Sequence, residues 1–264
     1  MNSFQLHQPK DLGSAASFAN NGGDTRFLAG GQSILASMKL GLASPDAMID
    51  LSLIPDLNSI SVLNGVVKIG AMVKHADVAA NADVQKAIPA LAELAGGIGD
   101  RQVRNMGTLG GSLANSDPAA CYPAAALGLG ATIHTDKRSI SADSFFLGLY
   151  ETALEAGEII TAVSFPVPEK AAYVKFKNPA SRFALVGVFV SKGSQGVRVA
   201  VTGAGSCAFR ANDLETALAG SWTAAACNAV KMTWGNLNSD LHASAEYRAH
   251  LIPVIAGRAV AAAK

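Results

Sequence analysis

The chain has 264 residues, of which half are hydrophobic and only 16% are charged, against about 25% charged residues in an average soluble domain. This length allows one large domain or two smaller ones with a substantial core. The formal net charge of +1 argues against the clustered basic face that nucleic-acid binding needs.

The surplus of apolar residues leaves two interpretations open, a large core or an interface with other subunits. No apolar run approaches the roughly 18 residues of a membrane span. The first ten residues carry Gln, His and Lys instead of an apolar signal core, so we expect no export signal and a cytoplasmic location.

Cysteine and histidine spacing argues against a metal site built by this chain. Cys121, Cys207 and Cys227 form no CxxC pair, and the five histidines form no HxxxH or HxH pair. We therefore expect free thiols in a reducing compartment.

The first part of the chain, about residues 1–55, alternates helical and extended signals around a glycine loop. That loop is Ala29-Gly30-Gly31-Gln32-Ser33. Around it we predict a helix at 12–20, a strand at 25–28, a short amphipathic segment at 34–42 and a strand at 47–51.

A hairpin signal follows. Two alternating apolar segments, 60–63 and 66–69, flank Asn64-Gly65, and both turn positions of such a hairpin need positive φ. Residues 76–95 predict helices broken at Pro89. A second glycine loop occupies 107–112, and residues 123–129 are apolar enough for a buried helix.

The chain changes character around Phe165-Pro166-Val167-Pro168, and we predict a domain boundary close after it. The remainder predicts strands at 173–177, 183–190 and 197–204, with a turn at 193–196. Two helices are expected to close the chain. The last is indicated by helical spacing of Tyr247, Leu251, Val254, Ile255 and Arg258. This order predicts an antiparallel three-stranded sheet backed by helices, an α+β arrangement.

Both glycine loops have the composition that brings backbone N–H groups against an anion. Glycine lacks a Cβ and tolerates positive φ, and each loop leads into a predicted helix whose N-terminus favours negative charge. Neither loop fits the GxxxxGK[ST] pattern of nucleotide hydrolases or the GxGxxG pattern of the Rossmann fold. Two ordinary turns in a glycine-rich chain remain the alternative.

Motifs in order along the chain resemble one family. The first loop is followed by Met38-Lys39, Ile49-Asp50-Leu51 and Ile69-Gly70-Ala71. The middle segment, Gln102-Val103-Arg104-Asn105-Met106-Gly107-Thr108-Leu109-Gly110-Gly111-Ser112-Leu113-Ala114, continues with Asp117-Pro118-Ala119-Ala120, and Ser244-Ala245-Glu246-Tyr247-Arg248 lies near the end. Together they resemble the FAD-binding medium subunit of molybdenum hydroxylases of the carbon monoxide dehydrogenase and xanthine dehydrogenase type.

The resemblance implies a fold and a function. The fold is α+β: a PCMH or vanillyl-alcohol-oxidase type FAD-binding domain at 1–170, with lobes at about 1–55 and 56–170, and a small C-terminal domain at 171–264. FAD would take electrons from two [2Fe–2S] clusters of a small partner subunit and pass them to an external acceptor. A large partner with the molybdenum cofactor would oxidise the substrate, in an expected dimer of heterotrimers.

The resemblance also assigns cofactor positions, with no catalytic acid, base or nucleophile. The pyrophosphate would lie between the two loops, on Ala29, Gly30, Gly31, Gln32, Ser33, Gly107, Thr108, Gly110, Gly111 and Ser112, with the Thr108 hydroxyl donating. Other positions would be Leu28 and Ile34 near the adenosine, Ile160 near the adenine, Ile98 and Gly99 along the isoalloxazine, Asp117 and Cys121 near the ribityl chain, and Lys175 and Phe183 at the flavin ring. For Leu28, Ile34 and Phe183 core packing is the alternative, and for Lys175 an exposed strand lysine.

Three departures from the family pattern bear on the cofactor. Cys121 stands where many relatives have an aspartate that accepts a ribityl hydrogen bond, and such a bond contributes about 1 kcal/mol. Arg182 replaces an aspartate before the aromatic residue, and Ser112 replaces an asparagine. We expect FAD to be retained with weaker binding; a free-standing flavin oxidoreductase and a structural subunit without cofactor are the alternatives.

Overall fold

The protein is described by a computed structural model covering residues 2–20 and 22–264. Its strands in chain order are β1 (Gln5–His7), β2 (Thr25–Leu28), β3 (Ala47–Asp50), β4 (Ile60–Leu63), β5 (Val66–Gly70), β6 (Thr132–Thr135), β7 (Ser139–Ser141), β8 (Phe146–Gly148), β9 (Glu151–Thr152), β10 (Ile160–Pro166), β11 (Lys170–Lys177), β12 (Ala184–Gly193), β13 (Gly196–Thr202) and β14 (Phe209–Arg210).

The α-helices are mostly short. They are α1 (Leu12–Ala19), α2 (Ile34–Lys39), α3 (His75–Ala80), α4 (Ala82–Ala87), α5 (Pro89–Gly96), α6 (Arg101–Met106), α7 (Leu109–Asn115), α8 (Tyr122–Gly128), α9 (Asn212–Gly220), α10 (Ala224–Asn228) and α11 (Ala245–Ala262). None of them, over the residues covered, is long and apolar enough to cross a membrane.

The N-terminal lobe is a three-stranded parallel sheet in the order β1-β3-β2. Helix α1 begins where the Asp11 carboxylate accepts a hydrogen bond from the Ser14 N–H at 2.8 Å, which satisfies one unpaired donor of the first turn. Ala15 and Ile49 are fully buried in the small core between helix and sheet. The first glycine loop leaves this sheet at the end of β2.

The second sheet has five antiparallel strands in the order β4-β5-β10-β6-β7. Its hairpin β4–β5 turns at Asn64 and Gly65, with φ of 51° and 74°, so the predicted hairpin is confirmed. Helix α8 is buried along its whole length, as its apolar sequence predicted. Strands β6 to β9 had no prediction.

The C-terminal sheet has four antiparallel strands in the order β11-β12-β13-β14. The first eight residues of β12 are buried because α8 packs against this strand as well as α11. We predicted three strands and two helices for this part of the chain, but it contains four strands and three helices. The two-residue strand β14 and the five-residue helix α10 are too short to leave a periodic signal.

Two local predictions also need correction. The helical stretch at 76–95 breaks at Asn81 as well as at Pro89, because the Asn81 side chain leaves the helix and caps α4 by accepting from the Val84 N–H at 3.0 Å. The second glycine loop is not a loop throughout. Helix α7 begins at Leu109, so Gly110, Gly111 and Ser112 lie in its first turns.

Candidate functional site

A cleft of about 830 Å³ is lined by residues of all four sheets, which include the two-stranded sheet of β8 and β9. Its volume falls within the about 300–1,000 Å³ typical of small-molecule sites. Every predicted cofactor position except Leu28 lines it. Leu28 instead lies against Gly31, with its Cδ1 3.4 Å from where a Gly31 Cβ would stand.

The two glycine loops touch each other. A Cβ placed on Gly30 would stand 2.1 Å from the Met106 carbonyl oxygen and 2.7 Å from the Gly107 Cα. Likewise, a Cβ on Gly110 would stand 2.6 Å from the Ala71 Cβ. The glycines are therefore required for the close approach of three backbone segments, including the Ile69-Gly70-Ala71 motif.

The first loop keeps its backbone donors available. Within the described chain, four consecutive N–H groups have no hydrogen-bond acceptor: those of Gly30, Gly31, Gln32 and Ser33. Gly31 has a φ of 71°, a conformation that glycine adopts without strain. N–H groups of this kind beside a cleft are available to donate to water or to a ligand.

The second loop differs from the expectation that both loops offer backbone donors. The Leu109 N–H donates to the Val73 carbonyl at 3.0 Å, and the Gly110 N–H donates to the Ala71 carbonyl at 2.8 Å. The Gly111 N–H donates to Thr108 Oγ1 at 3.2 Å. Thr108 thus caps α7 with an oxygen lone pair, and its hydroxyl proton is available to donate elsewhere. This loop therefore offers hydroxyl groups to a ligand, and its glycines allow other backbone segments to approach closely. It offers backbone N–H groups to a lesser extent.

Lys175 and Cys121 meet at another part of the cleft wall. The Lys175 ammonium donates to the Gly97 carbonyl at 2.8 Å and to Cys121 Sγ at 3.4 Å. No carboxylate lies within salt-bridge distance of this ammonium in the described residues. Its positive charge therefore faces the cleft without a neutralising partner.

Asp117 and Phe183 lie on the cleft rim. The Asp117 carboxylate accepts from the Ala119 N–H at 2.8 Å, and its charge beside the Tyr150 hydroxyl raises the pKa of that phenol. Phe183 is 53% exposed, so it is not a core residue. Arg182 before it has a φ of 62°, which turns the chain sharply into β12.

Two titratable residues of the cleft wall, Glu158 and His75, are not among the predicted cofactor positions. Glu158 accepts from Arg138 Nε at 2.9 Å, and this bond is the main reason why its pKa falls to about 2. His75 is buried beneath Gly107, and burial lowers its pKa to about 4, with a smaller effect from the Arg104 charge. The turn that carries Glu158 is formed at Gly157, which has a φ of 70°.

Comparison with known proteins agrees with this geometry. Residues 2–168 match the family model described as the FAD binding domain in molybdopterin dehydrogenase. The chain is 34% identical to the nicotine 6-hydroxylase medium subunit of Paenarthrobacter nicotinovorans, over 96% of this chain and 94% of that protein. It is 35% identical to the glyceraldehyde dehydrogenase medium chain of Sulfolobus acidocaldarius, over 80% and 79%.

A solved structure shows the same fold. Carbon monoxide dehydrogenase from Hydrogenophaga pseudoflava, in a form that lacks the Mo-pyranopterin moiety of its cofactor, contains a chain that superposes with a TM-score of 0.89. The two chains are 33% identical, and the match covers 99% of this chain and 97% of that one. The predicted α+β fold of PCMH type and the FAD-binding domain are thereby confirmed. The chain belongs to the family of FAD-binding medium subunits of molybdenum hydroxylases, which are oxidoreductase subunits.

Proposed function

We propose that the cleft holds FAD with its pyrophosphate between the two glycine loops. The observation that carries this proposal is the row of free N–H groups at 30–33, facing a loop whose Thr108 hydroxyl can donate. A pyrophosphate is an anion with acceptor oxygens only, so it matches a wall made of donors. The contact of Gly30 with Met106 and Gly107 favours a backbone cradle that a side chain would fill.

We assign the isoalloxazine to the part of the cleft lined by Ile98, Gly99 and Lys175, with Cys121 beside Lys175 near the ribityl chain. Bound FAD supplies a redox centre that accepts and releases electrons one or two at a time. The uncompensated Lys175 ammonium would stabilise negative charge on the reduced flavin and so would raise the flavin potential. Phe183 and Asp117 on the rim would limit access of water and hold the ribityl side.

We further propose that the chain acts as the electron-transfer subunit of a molybdenum hydroxylase. It would take electrons from [2Fe–2S] clusters of a small partner and pass them to an external acceptor, while a large molybdenum subunit oxidises the substrate. The medium-chain names of the relatives support such partners. A dimer of heterotrimers, a cytoplasmic location, and a division at residue 170 into FAD-binding and C-terminal domains belong to the same proposal.

The first experiment is a titration of the full chain with FAD, followed by flavin fluorescence. We expect saturable binding that Thr108→Val weakens, because valine keeps the shape and removes the hydroxyl. Thr223→Val is the matched control, since the Thr223 hydroxyl oxygen also caps a helix, accepting from the Ala226 N–H at 3.2 Å, and Thr223 does not line the cleft. Absence of FAD binding by the unaltered chain and by its native complex would refute the proposal and favour a structural subunit.

A second experiment separates the electron-transfer subunit from a free-standing flavin oxidoreductase. The complex isolated from its native source is assayed for flavin, molybdenum, iron and subunit masses. We expect two further subunits that together carry molybdenum and iron. A chain that is isolated alone with FAD and turns over a substrate by itself would overturn the subunit assignment.

A further inference from the structure

The segment at 117–121 joins α7 to α8 and lines the cleft with four of its five residues: Asp117, Ala119, Ala120 and Cys121. Its own backbone carbonyls are held from the opposite side by the C-terminal sheet. Thr202, the last residue of β13, is fully buried, and its Oγ1 lies 2.8 Å from the Pro118 oxygen and 2.6 Å from the Ala120 oxygen. The next residue, Gly203, donates its N–H to the same Pro118 oxygen at 2.7 Å.

The end of β13 is itself held by hydrogen bonds from helix α11. Arg248 on α11 donates from Nη1 to the Leu185 carbonyl at 2.7 Å and to the Gly203 carbonyl at 2.9 Å. Gly203 has a φ of 85°, and a Cβ there would stand 2.5 Å from the Ala184 oxygen. Helix α11, the end of β13 and segment 117–121 are thus connected by consecutive hydrogen bonds, and the last of them reaches the cleft wall.

We propose that Thr202 is a positioning residue for FAD: it holds segment 117–121 at the distance that places Cys121 and Asp117 against the cofactor. The proposal rests on the proposed function, since it assumes that FAD occupies the cleft. A hydroxyl has one proton, so Thr202 donates to one of its two carbonyl acceptors at a time. Its methyl group packs against Gly187, where a Cβ would stand 2.9 Å from Thr202 Cγ2.

The variant Thr202→Val isolates the hydroxyl. Valine preserves the buried methyl and the volume, and Pro118 keeps the bond from the Gly203 N–H, so only the hydroxyl bond is lost. Thr202→Ser restores the hydroxyl and removes the methyl. Ser191→Ala is the matched control, because Ser191 is a buried residue of the same sheet whose hydroxyl donates to the Gly128 carbonyl at 2.6 Å, at the opposite end of α8.

Two measurements are made on each full-length variant. The first is the FAD dissociation constant by fluorescence titration. We expect Thr202→Val to raise it about tenfold, as loss of one buried hydrogen bond allows, while Thr202→Ser and Ser191→Ala stay within about twofold of the unaltered chain. The second is the alkylation rate of Cys121 in the cofactor-free chain, followed by peptide mass spectrometry, which should rise only in Thr202→Val because Cys121 is 5% exposed.

The inference is overturned if Thr202→Val and Ser191→Ala change FAD affinity and Cys121 alkylation equally, since both would then act through general stability. It is also overturned if Thr202→Val changes neither quantity. Failure of the unaltered chain to bind FAD would refute the proposed function instead. In that case the alkylation rates still decide whether Thr202 holds the segment.

Discussion

Replacement of Gly30 by alanine tests the contact between the two glycine loops. The added Cβ would stand 2.1 Å from the Met106 oxygen, and Cβ contacts essentially never fall below 3.0 Å. Both nearest groups are backbone atoms, so no side-chain rotation relieves the contact and the loops must separate. Overpacking of this kind costs about 1–3 kcal/mol of folding stability. Separation also moves the free N–H groups at 30–33 away from the Thr108 hydroxyl.

We therefore expect Gly30→Ala to weaken FAD binding by at least about tenfold, since about 1.4 kcal/mol corresponds to a factor of ten, and to lower the melting temperature. FAD titration and thermal melts of the apo chain measure the two effects. Gly220→Ala is the matched control, because a Cβ at the end of α9 meets no atom within 4 Å. If Gly30→Ala bound FAD as tightly as Gly220→Ala, the loops would not form a shared cradle.

Three further changes are predicted. Lys175→Met should lower the flavin midpoint potential by about 30 mV, which is about 1.4 kcal/mol for a two-electron couple. Lys177→Met is the control, since Lys177 is exposed and its loss should leave the potential unchanged. Equal potentials of the two variants in redox titrations would contradict the role of the Lys175 charge. Glu158 has a lowered pKa, so its contribution to the free energy of unfolding is complete above pH 4.5 and is lost as pH falls towards about 2. The Glu158→Gln variant should be less stable at neutral pH, and its free energy of unfolding in denaturant should decrease less between pH 4.5 and 2. An unchanged pH profile would refute this. His75 stays neutral in the folded state down to about pH 4. The unfolded state alone therefore gains a proton below pH 6.5, and stability falls as pH drops from 6.5 to 4. The His75→Leu variant should reduce this dependence of stability on pH, and an equal dependence in both proteins would contradict the prediction.

Local signals of the sequence predicted the elements whose residues decide their own conformation. The hairpin at Asn64-Gly65 formed where predicted because positive φ is a property of those two residues. Helix α8 followed from an apolar pattern that stays within one element, and the strand predicted at 25–28 formed as β2. The short elements β14 and α10 were missed because their few residues carry no periodicity, and their conformation depends on the neighbouring strand and helix.

The same distinction between local and long-range determinants applies to the cofactor site. The two glycine loops and their order were evident from the sequence, because close backbone approach selects glycine at positions such as Gly30 and Gly110. The sequence could not show that the first loop keeps its N–H groups free while the second donates its own to residues 71 and 73. Hydrogen-bond partners of this kind lie far apart along the chain, so local composition carries no record of them.

By itself, the sequence determined the family, the cofactor and the positions of the two glycine loops along the chain. Tertiary structure alone decided how those loops differ, why the positive charge of Lys175 stays uncompensated beside Cys121, and how Thr202 reaches segment 117–121 from another sheet. The physical reason is that local composition determines which conformations a backbone segment can adopt. Which donors remain free and which charges remain unpaired depends on segments that only folding brings together.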